Sequence, residues 1–439
     1  MRQATASHPS YADDFRCIGS ACEDTCCQGW SVPVDEATWY KYQSLPESEL
    51  RSLIHANVLR TPESANSEKS PVFAIIRMST ANRCPMLSPD RLCSIQVELG
   101  EQLLSHTCHT YPRIVHSIGG TRETALTFSC PEAVRLVLLS PDLLTGNSPV
   151  FGEGSQPAVS DLSADYLPPD FWAIRTTVLT LVRNRTYPLW QRLFLLGILC
   201  QRLEAIARGE LKLTTLEFLA GFQASVADGS LRAAMQSLPI DSTAQVDIVL
   251  RLAGLMLHKS NVRPRFVECV HAFTTGIGNG PGATLQSLTA TYGSAHDRHF
   301  QPFFERHPYI LENYLVNTII RCQFPYGKEG MLPGAVPRMS REFALLTAQF
   351  TLIKGLLIGV AGFHREQFAA AHVVHTVQAA AKHFEHHPEF LSRAHTLLVE
   401  SGMDGARGMA ILLRNGAKGR ASDRLAPTAP SLQTEPPQA

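Results

Sequence analysis

CIGSACEDTCCQGW, Cys17 to Trp30, holds the densest run of cysteines in the sequence. Four cysteines, Cys17, Cys22, Cys26 and Cys27, fall within eleven residues, and Cys84, Cys93, Cys108 and Cys130 follow before residue 131. The other three of the chain's 11 cysteines are scattered over the remainder. Chance would spread thiols evenly, so this distribution marks a local site. Thiolates at short spacings are soft donors for zinc or an iron–sulfur cluster. The competing use is a disulfide framework, which needs an oxidising compartment.

The chain of 439 residues is long enough for two or more domains, each with its own core. Basic and acidic residues balance at 39 each, so no global field draws it to nucleic acid or membrane. The stretch MRQATASHPSYADDF has no apolar core of signal-peptide length. The apolar run from Phe350 to Phe363 is interrupted by Lys354 and is too short to cross a bilayer. The chain therefore reads as soluble and cytoplasmic. Thiols there stay reduced, which favours metal over disulfides.

The expected architecture is mainly α: a small cysteine-rich α+β metal domain at 1–140, a linker at 141–169 and an all-α domain at 170–414. Residues 415–439, ending in APTAPSLQTEPPQA, read as a disordered tail. Residues 1–16 form an arm. Val34 to His55 reads as one helix with Asp35 as N-cap, and 60–71 as a polar loop. Val72 to Met78 and Thr121 to Ser129 read as strands, and Ile95 to Leu104 as a helix leading to Cys108. Cys84 and Cys93 flank a Ser-Pro-Asp turn suited to a metal knuckle, and Cys130-Pro131-Glu132 opens a helix. Three- and four-residue apolar steps then predict helices at 171–183, 188–208, 214–227, 243–258, 263–274, 308–322, 341–363, 366–384 and 388–401.

The candidate metal ligands are Cys17, Cys22, Cys26, Cys27, Cys84, Cys93, Cys108 and Cys130. Eight exceed what one four-ligand site uses, and adjacent Cys26 and Cys27 point apart in most backbone conformations. A zinc knuckle that merely holds the segment together is as compatible with these residue types as a catalytic cluster. Cys22 and Cys26 match the first step of the radical S-adenosylmethionine pattern, but its third ligand would fall on Gly29, which argues against that class. His106 and His109 flank Cys108 as alternative or supporting ligands. His383, His386 and His387 suit a helix C-terminus, and Cys200, Cys269 and Cys322 read as buried small hydrophobes. Gly276, Gly278 and Gly280 lack the β/α context of a nucleotide loop and read as an interhelical turn.

Glu23 and Asp24 sit inside the cysteine cluster. They are candidates either for solvating the loop or, with Tyr111, for handling a cationic substrate.

CIGSACEDTCCQGW, CPMLSPDRLCSI, GEQLLSHTCHTYPR and SCPE, in this order, resemble the flagellin lysine-N-methylase family. So does LENYLVNTIIRCQFPYG, residues 311–327. The first four also resemble a broader cysteine-rich group of zinc- or iron-chelating proteins. The first resemblance implies methyl transfer from S-adenosylmethionine to surface lysines of flagellin, with an iron–sulfur cluster rather than zinc. A lysine must lose its proton before it attacks a sulfonium methyl, and its free pKa is about 10.4. Glu23, Asp24 and Tyr111 are the candidates for that step. The alternative function is a non-enzymatic zinc- or iron-chelating module, a metal or cluster carrier.

Overall fold

The helical pattern beyond residue 170 folds around one central helix, Met339–His364. The computed structural model describes residues 11–61, 72–143, 160–162, 167–257, 263–332, 334–385 and 388–416. Most of the expected 60–71 loop and 141–169 linker, His386, His387 and nearly all of the expected tail lie outside these residues. The central helix has the length and composition of a membrane span, yet its apolar window is 100% buried inside the protein. It is a core helix. Gly355, Gly359 and Gly362 let its neighbours approach: a methyl on Gly359 would lie 2.7 Å from the carbonyl oxygen of Phe273. A methyl on Gly362 would lie 2.7 Å from that of Gly276. Gly276 thus serves helix packing, in keeping with the interhelical reading of its segment.

Lys354, the charge that interrupts the apolar run, has a structural use. Its Nζ donates to the carbonyls of Leu412 and Leu413, both at 2.9 Å, and to Asn415 Oδ1 at 2.6 Å. It caps the C-terminal end of the Ala406–Leu413 helix, where a cation is favoured.

The nine expected helices form with small shifts at their ends. The helix expected at 366–384 begins instead at Ala370, because Arg365 turns the chain with φ of 50°. Helices such as Leu285–Ala295 add to the bundle.

Two small sheets precede the bundle. In the first, β1 (Val32–Val34) and β2 (Val58–Arg60) flank β3 (Ala74–Ile76), with Val32 and Val58 both opposite Ile76. The single helix expected over Val34–His55 is two: Glu36–Gln43 and Glu49–Asn57. Pro46 has no N–H to donate and disfavours helix at Leu45. Ser48 then caps the second helix by accepting from Arg51 N at 3.0 Å. Asp35 caps the first, as expected, accepting from Thr38 N at 2.9 Å.

In the second sheet, β4 (Arg113–Ile118) and β5 (Thr121–Leu126) form a hairpin through Gly119-Gly120. Both glycines have the positive φ, 57° and 78°, that a two-residue turn requires. Residues Ser160–Leu162 add a parallel strand, β6, to β4 within the expected linker. Cys130 stands at the N-cap position, and Pro131 opens the Pro131–Leu138 helix as the sequence suggests. The mainly α class, with a small α+β part at the N-terminal end, therefore holds.

The buried cores divide by packing. Val32, Tyr42, Ile54, Ile76, Met86 and Ile95 build a small core. Tyr11, Phe15, Leu126, Phe128 and Val137 join the large helical core. Asn317 explains why: its side chain accepts from Leu126 N at 2.9 Å and donates to Leu126 O at 2.8 Å, acting as a strand partner for β5. It also accepts from Tyr11 Oη at 2.7 Å, so the described end of the N-terminal arm is docked. A buried ion pair, Glu123 with Arg175, ties β5 to the Phe171–Arg183 helix, with side chains 1% and 0% exposed.

Candidate functional site

Cys26, Cys27, Cys84, Cys93 and Cys108 line one cleft of about 640 Å³, open solvent at its mouth included. Each is placed by a local device. Cys27 O accepts from Cys84 N at 2.8 Å, and Gly29 N donates to Asn82 O at 2.9 Å, so the Cys26-Cys27 turn lies against the chain entering Cys84. The expected turn closes through Ser88 N to Leu92 O at 2.9 Å, and Leu87 bridges to Cys93. Ile95–Leu104 is a wide turn, Ile95–Leu99, broken by Gly100 at φ 87°, rather than one helix. Cys108 sits on a short helix, His106–Thr110, capped by Ser105. Asp35 holds that helix by accepting from His106 N at 2.9 Å.

Trp30, Tyr42 and Tyr111 complete the cleft wall. Trp30 Nε1 donates to Cys26 O at 2.6 Å, and its ring lies 5.8 Å from that of Tyr111. No Asp, Glu, His, Lys or Arg stands among the described residues of the wall. Removal from water penalises the thiolate form, so burial pushes Cys84 up to about 12 and Cys108 to about 11. Cys26 is raised further still, first by its hydrogen bond with Cys27 and then by burial.

Cys17, Cys22 and Cys130 do not line this cleft. Cys22 donates to Asp24 O at 2.8 Å, and Cys17 accepts from Gly19 N at 3.5 Å. Cys130 is buried, and burial pushes its thiol up to about 12. His109 lies 3.6 Å from Glu101. Cys200 and Cys269 are buried in the helical core and Cys322 is half-buried.

Among the described residues, no three His, Cys, Asp or Glu side chains are arranged to hold a metal ion. The donor chemistry nonetheless fits a soft metal or cluster. Five thiols share one apolar cleft, and a cation placed there would reverse the cost of ionising them.

Glu23 and Asp24, the carboxylates inside the motif, are engaged within the chain. Glu23 accepts from both terminal nitrogens of Arg135, at 2.7 and 3.1 Å, and this pairing holds its carboxyl below the usual range. Asp24 accepts from Lys382 Nζ and Gln378 Nε2, both at 2.7 Å. Lys382 also reaches Thr25 O at 2.7 Å, and Arg263 donates to Gln28 O and Gly29 O at 3.0 and 2.7 Å. The cysteine loop is thus latched onto the helical half.

Tyr111 is the one of the three substrate-handling candidates that faces the cleft. Burial raises its hydroxyl well above the ordinary phenol value. Its hydroxyl meets Ser129 Oγ at 3.1 Å. Behind Ser129 lie Thr127 and the Arg321–Glu385 pair, which no sequence motif singled out as chemical. Ser129 stands in the SCPE motif and Arg321 in the 311–327 block, and that was their only signal.

Residues 175–412 match the family model described as the FliB lysine N-methylase C-terminal domain. The chain belongs to the FliB lysine N-methylase family. It is 34% identical over 145 residues to the flagellar biosynthetic protein FliU of Salmonella muenchen, covering 33% of this chain and 83% of that one. It is 33% identical over 145 residues to lysine-N-methylases of Salmonella choleraesuis and Salmonella typhimurium, covering 33% of this chain. The match spans about a third, 35%, of each of those two relatives. No solved structure matches the chain. The FliB match begins at Arg175, the buried partner of β5, and includes Arg263 and Lys382, two donors of the latch.

Proposed function

We propose that this chain is a lysine N-methyltransferase that moves the methyl group of S-adenosylmethionine to surface lysines of flagellin. The observation that carries the reading is a thiol-lined cleft latched onto a helical half of the lysine N-methylase family. The flagellar name of one relative supports flagellin as the protein partner. A cytoplasmic setting suits thiols kept reduced.

Cys26, Cys27, Cys84, Cys93 and Cys108 would hold an iron–sulfur cluster, with zinc as the alternative metal. When bound, the cluster supplies an iron that can anchor the donor's amino-acid end if one position stays open. The chain's own groups do the rest. A sulfonium methyl is already a good electrophile and an amine a good nucleophile, so the reaction needs placement and deprotonation. Aromatic faces of Trp30 and Tyr111 favour a cation, whether sulfonium or ammonium. Apolar surroundings disfavour the charged form of an amine.

The test is transfer of labelled methyl from S-adenosylmethionine to flagellin by metal-loaded protein, with iron, sulfide and zinc measured alongside. Label on flagellin lysines supports the reading. Metal-loaded protein that transfers none would leave a metal or cluster carrier in its place.

A further inference from the structure

We propose that Tyr111, Ser129, Thr127 and Glu385 form a proton relay that removes the proton a substrate lysine must lose; the inference rests on the lysine-methylation reading above. The wall of the cysteine cleft holds no carboxylate or imidazole among the described residues. Its hydroxyl groups belong to Tyr42, Ser105 and Tyr111. Tyr42 donates to Leu103 O at 2.8 Å and Ser105 accepts from Cys108 N at 3.3 Å, and neither bond leads to a base. Tyr111 differs. Its hydroxyl meets Ser129 Oγ at 3.1 Å, Ser129 Oγ meets Thr127 Oγ1 at 3.0 Å, and Thr127 Oγ1 donates to Glu385 Oε2.

The carboxylate end sets the direction of this chain. Thr127 spends its proton on Glu385, so Ser129 donates to Thr127 and Tyr111 donates to Ser129. The Tyr111 oxygen is left as an acceptor toward an incoming ammonium. Thr127 and Ser129 are buried, and the Glu385 side chain is 3% exposed. Glu385 Oε1 lies 3.3 Å from Arg321 Nε but takes part in no hydrogen bond. The Arg321 guanidinium thus sets a positive charge beside the carboxyl group at the end of the relay.

In the step, an ammonium proton passes to Tyr111 Oη as the tyrosine proton moves to Ser129, that of Ser129 to Thr127 and that of Thr127 to Glu385 Oε2. Glu385 becomes a carboxylic acid and the lysine a neutral amine. The nitrogen pair then forms the N–C bond to the sulfonium methyl. The C–S bond breaks with its electrons staying on sulfur, which leaves a neutral thioether. Tyr111 touches the substrate, whereas Glu385 acts through the relay.

The test uses the full, metal-loaded chain with S-adenosylmethionine and flagellin. Thr127→Val and Glu385→Gln should each lower kcat roughly 100-fold, the scale of a lost general base, with donor KM unchanged. Thr127→Ser, which keeps an oxygen in the chain, should recover most of that loss. Wild-type turnover by Thr127→Val would overturn the relay, and so would an equal loss in Thr127→Ser, since that loss would be structural. Infrared difference spectra on adding n-butylamine give a readout that needs no turnover. A protonated-carboxyl band that vanishes in Glu385→Gln is expected, and its absence from the wild type overturns the relay. That band in a protein that transfers no methyl would sink the methylation reading alone.

Discussion

Lys382 Nζ lies 2.7 Å from Asp24 Oδ2, so a cation buried in the helical half holds a carboxylate two residues ahead of Cys26. The side chains are 4% and 17% exposed, and water screens the pair little. The thiol-bearing loop is therefore ordered by the part of the chain that carries the FliB match.

Lys382→Met should destabilise the protein by about 3 kcal/mol, because it takes the bonded ammonium away from a largely buried carboxylate. Adding Asp24→Asn should recover part of the loss, since both charges are then gone. Denaturant midpoints of the two single variants and the double variant check this. A single-variant loss under about 1 kcal/mol would place the pair with ordinary surface bridges.

Cys93→Ser and Cys108→Ser should lower bound metal and lower the stability of the N-terminal module together, since metal-binding energy at such sites is folding energy. Cys200→Ala lies in the helical core, should keep full metal content and should cost about 1 kcal/mol of packing. Elemental analysis of the three purified variants decides. Equal loss of metal in all three would contradict the separation of cleft thiols from core thiols.

Asn317→Leu removes partners from Leu126 N, Leu126 O and the Tyr11 hydroxyl at once. Buried groups left unpaired cost ~1–3 kcal/mol each, and partial relaxation leaves an expected loss of about 3 kcal/mol. Calorimetry on the variant measures it. An unchanged melting temperature would show that β5 does not depend on this side chain.

Burial pushes the Glu342 carboxyl up to about 7, with Arg341 opposing and Glu329 adding. Its folded value lies above the unfolded one, so the folded state holds the extra proton between them. Stability from this group is full below the ordinary carboxyl range, falls as pH rises toward 7, and is level above that. The total change is about 3 kcal/mol. Glu342→Gln should remove the slope and be the more stable form at pH 8. Parallel stability–pH curves for the two proteins would contradict the assignment.

Much of this was legible in the sequence. Nine helices followed from apolar spacing, and Asp35 and Pro131 marked their helix starts because caps and first-turn prolines act locally. The hairpin from Arg113 to Leu126 was only half visible: Thr121–Ser129 read as a strand, while the Gly119-Gly120 turn that pairs it went unused. The break at Pro46 was in plain view and outweighed the helical pattern around it. The site divides in the same way. Cysteine spacing pointed to the thiol cluster, but spacing alone could not show that Cys17, Cys22 and Cys130 stand outside the cleft. Asp24 finding Lys382, or Thr127 finding Glu385, joins residues more than 250 positions apart. Such pairings come from tertiary packing, which no local pattern encodes.

Methyl transfer to lysine can be read by peptide mass spectrometry of flagellin. Flagellin is incubated with S-adenosylmethionine and the metal-loaded protein, with Cys93→Ser as the control. Lysine-containing peptides heavier by whole methyl increments are expected with the wild type, and little or no change with Cys93→Ser. Unmodified lysines with wild-type protein, donor and metal all present would contradict it.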